Sequence, residues 1–232
     1  MSDGGKDSKT HGIDKYHHFD GATDQAEQLK SVYSQWADQY DHDNDHKLGT
    51  VSQPMTVEML SRHLSNRGTE IMDVGCGTGL VGHHLAAAGF TTYDGTDISS
   101  EMMQHARTRG YRQLLELVTD TPLPVLNGAY DATLCVGVFT HGHLGPEGID
   151  ELMRITRTGG LICFTVNEGV WESGGFPSRM DELTKARKWR ILEHKKRDYM
   201  IRENVKAHYI AAVTCPTADT DLSAQDTFAG KK

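Results

Sequence analysis

Two kinds of apolar pattern follow each other along the chain. In the first third, apolar residues recur every three or four positions, which predicts amphipathic helices over residues 24–40 and 54–64. The apolar side chains on one face of the first helix are Leu29, Val32, Tyr33, Trp36 and Tyr40. The polar residues 41–46 between the two helices are predicted to form a solvated turn.

From residue 70 onward, apolar clusters of strand length alternate with segments of helix length. The predicted strands are residues 70–74, 91–96, 114–118, 131–138, 161–166, 190–195 and 207–213. The predicted helices are residues 80–89, 99–110, 146–155 and 178–188, and a turn is predicted at residues 158–160. This alternation predicts an α/β domain with a mainly parallel sheet covered by helices on both faces. Ligands of such sheets bind beyond the carboxyl ends of the strands.

The chain is polar for a folded enzyme, with 232 residues and a mean hydropathy of −0.52. Much of the polar excess lies at the two ends, so residues 1–23 and 217–232 are predicted to be flexible tails. We expect a single domain over residues 24–216, in which residues 24–66 form N-terminal lid helices and residues 67–216 form the α/β core.

Charge and cysteine usage narrow the class of partner. The formal net charge of −8 disfavours nucleic acids and anionic membrane surfaces as partners. The chain has no run of about 18 apolar residues and no apolar segment near its amino terminus, so we expect a cytoplasmic protein without membrane attachment. We also expect a monomer or a homodimer. The four cysteines, Cys76, Cys135, Cys163 and Cys215, are far apart and are expected to be buried, reduced thiols.

The most informative motif is DVGCGTGL at residues 73–80, where a predicted strand ends and a helix begins. Its glycines allow a sharp turn and a close approach of a ligand to the backbone. Leu80 stands where a dinucleotide-binding loop needs glycine, and the Gly-Lys-Ser/Thr of a P-loop is absent. Asp97 ends the next strand, where a carboxylate can accept both hydroxyls of a ribose. A plain tight turn is the alternative, but the two features together favour a nucleoside ligand without a pyrophosphate.

These residues resemble the motifs of class I S-adenosylmethionine-dependent methyltransferases, and the resemblance extends over about residues 31–213. The strings similar to the ubiquinone/menaquinone-type branch are VYSQWADQYD (32–41), TDISSEM (96–102) and YDATLCVG (130–137). The strings similar to the methyltransferase-like group named after a Williams-Beuren syndrome region protein are FTHGH (139–143) and GGLICFTV (159–166). The resemblance implies a Rossmann-like sandwich with a seven-stranded, mostly parallel sheet and an antiparallel last strand.

The resemblance also implies which residues contact S-adenosylmethionine. In that family the acid of the first core strand and the glycine loop hold the amino-acid end of the cofactor, and the acid after the second strand binds the ribose. The positions that match cofactor contacts are Tyr33, Trp36, Tyr40, Asp73, Gly75, Gly77, Thr78, Gly79, Leu80, Asp97, Ile98, Met102, Val118, Thr119, Val136 and His141. Aromatic residues at helical spacing are also typical of a hydrophobic core, so the first three stay open between a lid role and a core role.

One position departs from the family pattern. Many relatives carry an acid at the end of the third strand that binds the adenine amino group, and here that position is Val118. Adenine is then expected to meet backbone groups at Val118 and Thr119, or the side chain of Glu116 or Asp120.

The residues after the fourth predicted strand are candidates for acceptor chemistry. His141 and His143 lie where the methyl group should emerge, and either is a candidate general base. Two histidines at this spacing can also bind a metal, but no third ligand is in place, so we expect no metal. The acceptor is expected to enter beside residues 167–176, with His143, Trp171 and Tyr199 as its contacts.

Two further patterns are interpreted as surface features. Residues 41–46 resemble the start of a calcium loop, but His46 replaces its glycine and Ser52 its glutamate. A basic cluster is predicted to be a solvated face rather than an RNA site, and its members are Lys185, Arg187, Lys188, Arg190, Lys195, Lys196 and Arg197.

The sequence therefore predicts an enzyme that transfers a methyl group from S-adenosylmethionine to a small-molecule N, O or S nucleophile by in-line displacement. Proximity and alignment can lower such a barrier by about 7–11 kcal/mol without an obligatory acid or base. The alternatives are an RNA or protein methyltransferase with the same cofactor site, or a non-catalytic homologue that binds the cofactor.

Overall fold

The computed structural model describes residues 25–117 and 122–216, and only the backbone of Gln25 and Ala26. Its strands are β1 (Ile71–Val74), β2 (Tyr93–Asp97), β3 (Leu114–Glu116), β4 (Tyr130–Phe139), β5 (Thr156–Asn167), β6 (Trp189–Met200) and β7 (Val205–Thr214). They form one seven-stranded sheet in the order β3-β2-β1-β4-β5-β7-β6. All neighbours from β3 to β5 are parallel, whereas β7 is antiparallel to β5 and β6. The expected sheet with an antiparallel last strand is confirmed.

Helices cover both faces of the sheet. They are α1 (Gln25–His42), a π-helix (Asp43–Leu48), α2 (Ser52–His63), α3 (Leu80–Ala87), α4 (Ser100–Ala106), α5 (Gly148–Ile155), α6 (Glu168–Trp171) and α7 (Phe176–Lys185). One buried cluster joins the sheet to α1, α2 and α3 through Trp36, Leu60 and Leu85. A second cluster joins the other face to α5 and α7 through Ile149 and Leu183.

The segment predicted as a solvated turn at residues 41–46 is helical instead, and that prediction is wrong. The chain continues from α1 into the π-helix, in which Asp43 and Asn44 are buried. The Trp36 indole Nε1 donates to Asp43 Oδ2 at 3.0 Å, and Lys47 Nζ lies 2.7 Å from Asp43 Oδ1. Burial alone would raise the pKa of Asp43, but its bonds to Lys47 and Trp36 hold that pKa below the usual value. Asp43 and Asn44 can be buried because their polar atoms form hydrogen bonds or ion pairs with neighbouring residues.

The carboxyl-terminal third also differs from the prediction. The turn predicted at residues 158–160 lies inside β5, where the pairing with β4 shifts register between Tyr130 and Ala132. Strands β6 and β7 are longer than predicted because antiparallel pairing extends along polar residues toward the hairpin tip. Helix α6 has only four residues, which is too short for a helical repeat of apolar positions to predict it.

Two observations concern the cysteines and the helices. Cys76, Cys135 and Cys163 are buried free thiols as expected, whereas Cys215 is partly exposed. Across residues 25–117 and 122–216, every helix is too short or too polar to cross a bilayer.

Candidate active site

A cavity of about 640 Å³ opens where β1, β2 and β4 end. The predicted site residues that line it are Tyr33, Tyr40, Gly75, Gly77, Asp97, Ile98, Met102, Val136 and His143. Other lining residues, which the sequence did not single out, include Leu123, Phe139, Glu147 and Glu151. No lysine or arginine is among the described residues that line this cavity.

The glycine loop forms one wall of the cavity. Gly75 and Gly77 have φ values of +73° and +54°, in the left-handed region that favours glycine. At Gly75 an added Cβ would lie 2.2 Å from Val138 Cγ2, whereas at Gly77 it would meet no atom within 4 Å. Gly75 therefore packs tightly against β4, and Gly77 presents bare backbone to the cavity.

Asp97 lies at the end of β2, beside the glycine loop. The backbone N–H of Gly77 donates to Asp97 Oδ2 at 2.8 Å, and that of Ser99 donates to Oδ1 at 2.9 Å. Burial raises the pKa of Asp97, and these backbone bonds oppose the rise. Because a carboxylate has about four lone-pair sites, Asp97 keeps acceptor capacity for ligand hydroxyls.

Asp73 lies behind the glycine loop, and its side chain is fully buried. Tyr111 donates its hydroxyl hydrogen to Asp73 Oδ2 at 2.6 Å and accepts from the Gly82 N–H at 2.9 Å. Asp73 Oδ1 has no hydrogen-bond partner among the described residues. Burial raises the pKa of Asp73 to about 7, partly offset by the bond from Tyr111.

Tyr111 was not predicted as a site residue, although its ring supports the loop from behind. An added Cβ would lie 2.9 Å from the ring at Gly79, 2.4 Å at Gly82 and 2.9 Å at Gly95. Gly82 interrupts a helix and Gly95 a strand, which is the sequence signal of a close approach.

These features fit a cofactor with a ribose and a charged amino-acid end. Asp97 keeps acceptor capacity for ribose hydroxyls, and Gly77 leaves room for the ligand beside the backbone. The unpartnered Asp73 Oδ1 is a buried acceptor that a cationic group can satisfy. Ile98 and Met102 supply apolar lining next to Asp97.

Tyr33 and His143 meet in the lining of the same cavity. Tyr33 Oη lies 2.9 Å from His143 Nε2, and the two ring centroids are 5.6 Å apart. His143 Nδ1 lies 2.8 Å from the backbone oxygen of His141. The His141 side chain is exposed and packs against Gly169 instead, so the two histidine rings do not converge on one point.

A row of polar side chains on α1, the polar seam, bonds this helix to residues beside the cavity. It consists of Lys30, Ser34, Asp38 and Asp41, which share one face of α1. Lys30 Nζ lies 2.7 Å from Glu116 Oε1, Ser34 Oγ donates to Glu101 Oε2 at 2.6 Å, and His105 Nε2 lies 3.2 Å from Asp38 Oδ1.

Asp41 ends the seam and joins α1 to the glycine loop. Thr78 Oγ1 donates to Asp41 Oδ1 at 2.6 Å, and the Arg109 guanidinium donates to Oδ2. Thr78 thus bonds to α1 and does not line the cavity.

Three predicted aromatic contacts lie elsewhere. Trp36 is 5% exposed and belongs to the core, where it donates to Asp43. Trp171, predicted as a substrate wall, instead stacks on His208 with ring centroids 3.7 Å apart, outside the cavity lining. Tyr199 is buried and lines a second cavity of about 40 Å³, which shares Tyr33 with the large one. Trp171 and Tyr199, the predicted acceptor contacts, therefore do not line the large cavity.

The remaining predicted positions are placed as follows. Gly79 and Leu80 begin α3 and do not line the large cavity. Val118 and Thr119 lie outside the described residues, as does Asp120. Glu116 pairs with Lys30, and all seven basic residues of the predicted solvated cluster are exposed.

The chain is similar in sequence and in fold to known methyltransferases. Residues 72–164 match the family model described as a methyltransferase domain. The chain is 34% identical to human methyltransferase-like protein 27 over 176 residues, which cover 73% of this chain and 71% of that protein. It is 27% identical to the ubiquinone biosynthesis O-methyltransferase of Methylococcus capsulatus over 141 residues, covering 56% of this chain and 57% of that protein.

A solved structure shares the architecture. The magnesium protoporphyrin IX methyltransferase of Synechocystis PCC 6803 with bound S-adenosylmethionine superposes with a TM-score of 0.60 at 16% identity, covering 84% of this chain and all of that one. This likeness shows the fold, and the human relative shows the family. The chain belongs to the class I S-adenosylmethionine-dependent methyltransferases, and S-adenosylmethionine is its cofactor.

Proposed function

We propose that the chain transfers the methyl group of S-adenosylmethionine to an N, O or S atom of a small molecule. The observation that carries this proposal is the cavity of about 640 Å³, which reaches from Asp97 to Tyr33 and His143. Its size falls within the usual range of small-molecule sites, about 300–1,000 Å³. A nucleic-acid substrate would require cationic lining, which the described residues of this cavity lack.

In this proposal the glycine-loop half of the cavity holds the cofactor. Asp97 accepts the ribose hydroxyls while its own position is fixed by the Gly77 and Ser99 N–H groups. The unpartnered Asp73 Oδ1 accepts a hydrogen bond from the amino group of the cofactor. Ile98 and Met102 pack against the adenine. Backbone groups at residues 118 and 119 remain the proposed contacts of the adenine edge.

The other half of the cavity positions the acceptor. Bound S-adenosylmethionine supplies an electrophilic methyl group on a sulfonium. The rings of Tyr33 and Tyr40 present electron-rich faces to that positive charge and exclude water from it. Burial raises the pKa of Tyr40 to about 12, so its hydroxyl keeps its proton at neutral pH.

Incubation of purified protein with methyl-labelled S-adenosylmethionine and a metabolite extract tests the proposal. We expect label in small molecules detected by mass spectrometry, and none with heat-denatured protein. Label confined to the RNA or protein fraction would refute the small-molecule acceptor and support a macromolecular one.

Binding of S-adenosylhomocysteine separates the cofactor site from turnover. At a hundredfold excess over its dissociation constant the ligand should raise the free energy of unfolding by about 2.7 kcal/mol. Binding without any methyl transfer would identify a non-catalytic homologue. No thermal shift in folded protein would contradict the cofactor site.

We also propose that the chain falls in the Williams-Beuren-region branch, which the strings at residues 139–143 and 159–166 support. A cytoplasmic location and a monomeric or homodimeric state stay predictions. Light scattering of the purified protein measures the second.

A further inference from the structure

We propose that Tyr33 and His143 form a proton relay for the methyl acceptor, and that the acceptor is an uncharged hydroxyl compound. This inference rests on the proposed small-molecule methyl transfer and assigns the chemical class of the acceptor.

The hydrogen bonds of His143 fix the tautomer of its neutral imidazole. The His141 backbone oxygen can only accept, so His143 Nδ1, 2.8 Å away, carries the hydrogen and donates it. Nε2 of the neutral ring is then an acceptor. Tyr33 Oη, 2.9 Å from Nε2, therefore donates its hydrogen to His143. The imidazole is thus oriented to receive a proton from the tyrosine side.

Tyr33 lies beside His143 in the lining of the large cavity. It lines both the large cavity and the small one, and its ring packs against Trp36 and Tyr40 at centroid distances of 6.3 Å. Since its hydrogen is directed to His143, the lone pairs of Tyr33 Oη are available to a hydroxyl in the cavity. Burial raises the pKa of Tyr33 well above its usual value, so this residue passes a proton on and does not store the charge.

The relay moves the proton of the acceptor hydroxyl to His143 through Tyr33. The acceptor O–H bond breaks and its proton goes to Tyr33 Oη, while the Tyr33 hydrogen goes to His143 Nε2. In the same step the methyl carbon forms a bond to the acceptor oxygen, and its bond to sulfur breaks with the electron pair left on sulfur. His143 ends as an imidazolium whose Nδ1–H still bonds to the His141 carbonyl. The proton then passes to solvent.

The charges of the cavity select the acceptor class. Among the acidic lining residues, Glu151 is paired with Arg154 at 2.6 Å, whereas Asp97 and Glu147 have no lysine or arginine partner among the described ion pairs, so these two carboxylates would repel a carboxylate or phosphate group. An amine can attack through its own lone pair and lose a proton afterwards. A hydroxyl is a poor nucleophile until a base takes its proton. A half-buried relay is therefore useful to a hydroxyl acceptor above all.

The first test identifies the methylated atom. Protein, methyl-labelled S-adenosylmethionine and a metabolite extract are incubated, and the labelled products are fragmented by mass spectrometry. We expect the label as an O-methyl ether on a compound without an anionic group. Label on nitrogen, on sulfur or on a carboxylate would overturn the acceptor class, even though the proposed methyl transfer would stand.

The second test measures single turnover of that product in Tyr33→Phe and His143→Gln. Each substitution should slow methyl transfer by about 10²- to 10⁴-fold, as expected for loss of a general base. Affinity for S-adenosylhomocysteine should change by no more than about tenfold, the equivalent of one neutral hydrogen bond. The matched controls are Tyr209→Phe in β7 and the exposed His46→Gln, which should leave the rate unchanged. Rates equal to the parent in the first two variants would overturn the relay.

The third test needs no acceptor and decides the relay even if no small molecule is labelled. Long-range ¹H–¹⁵N spectra of the protein with S-adenosylhomocysteine report the tautomer of each histidine, and His143→Gln assigns the signal. We expect His143 as the Nδ1–H tautomer. Observation of the Nε2–H tautomer would exclude Tyr33 as its donor and refute the relay independently of the proposed function.

Discussion

The two sides of the cavity are built from different kinds of bond. On the glycine-loop side, Asp97 is held by backbone N–H groups, and Asp73 is fully buried. On the lid side, α1 is fastened by side-chain pairs such as Lys30 with Glu116, whose side chains are 45% and 46% exposed. Exposed pairs contribute only about 0–1 kcal/mol each, so these pairs add little to the stability of α1, which is anchored mainly by the buried Trp36. The recognition residues of the glycine loop are therefore fixed by buried and backbone bonds, whereas the polar bonds of α1 are individually weak.

The largest expected effect is on the glycine-loop side. Asp97→Ala should weaken binding of S-adenosylhomocysteine by about a hundredfold or more, because two charge-assisted hydrogen bonds of about 1.5–3 kcal/mol each are lost. Titration calorimetry measures the affinity. His143→Ala should bind nearly as the parent does, because His143 bonds to Tyr33 and to the His141 backbone. If Asp97→Ala binds like the parent protein, the ribose role is wrong.

Asp73 should make cofactor binding depend on pH. Burial raises the pKa of its carboxyl to about 7, so the ligand-free protein holds that proton below pH 7, whereas a bound ammonium group favours the ionised form. Affinity for S-adenosylhomocysteine should therefore fall as pH drops below 7, by up to about tenfold per pH unit. Calorimetry in buffers of different ionisation enthalpy should show proton release on binding.

Asp73→Asn is the control for this pH dependence. It should abolish both the slope and the proton release. The sign is opposite for folding of the ligand-free protein, since a raised pKa contributes stability below the unfolded value, about 4, which is lost as pH rises through 7. The stability difference between parent and Asp73→Asn should thus shift in favour of the variant between pH 4 and 7. A difference that is constant over this range would contradict the raised pKa.

Substitutions at two glycines distinguish the effect of backbone strain on stability from an effect on ligand binding. Gly77 and Gly175 have φ values of +54° and +75°, and an added Cβ meets no atom within 4 Å at either. Alanine at either position should lower the free energy of unfolding by about 1–2 kcal/mol. Only Gly77→Ala should also weaken S-adenosylhomocysteine binding, by about tenfold or 1.4 kcal/mol. Equal binding by both variants would show that the ligand does not approach Gly77.

The smallest expected effect concerns the bond between lid and loop. Asp41→Asn keeps its size but loses the charge that Arg109 and Thr78 meet, and should weaken S-adenosylhomocysteine binding by only a few-fold, about 0.5–1 kcal/mol. Hydrogen exchange of α1 should speed up in this variant and stay unchanged in β1. Asp45→Asn, whose side chain is 81% exposed and lies outside the seam, is the matched control. Protection of α1 equal to the parent would remove Asp41 from this role.

The sequence predicted the glycine-loop side more fully than the lid side. Gly75, Gly77 and Asp97 act through local backbone geometry at strand ends, which spacing along the chain reveals. Trp36 shared its helical period with Tyr33, yet only the latter lines the large cavity, because the indole is turned toward Asp43. Periodicity assigns a face and does not say which residues on it reach a ligand.

Other errors arose where distant segments decide the outcome. The run at residues 41–46 looked solvated because the burial of Asp43 depends on Trp36 and Lys47. The sequence suggests an acceptor contact for Trp171, but its ring stacks on His208 of β7. The polar residues of β6 and β7 do not show how far these strands extend, so this contact cannot be predicted from the apolar pattern. Such contacts depend on strand register, which the apolar pattern leaves open.

The ring of Tyr111 occupies the volume that side chains at Gly79, Gly82 and Gly95 would need. Substitutions at these four positions are therefore expected to depend on one another. An alanine at 82 fits only if residue 111 is smaller, and a smaller residue at 111 alone leaves a cavity. The glycine spacing that identifies the cofactor loop is in this way tied to a residue 29 positions downstream of Gly82, through the hydrogen bond that joins them. Homologous chains should show these positions changing together.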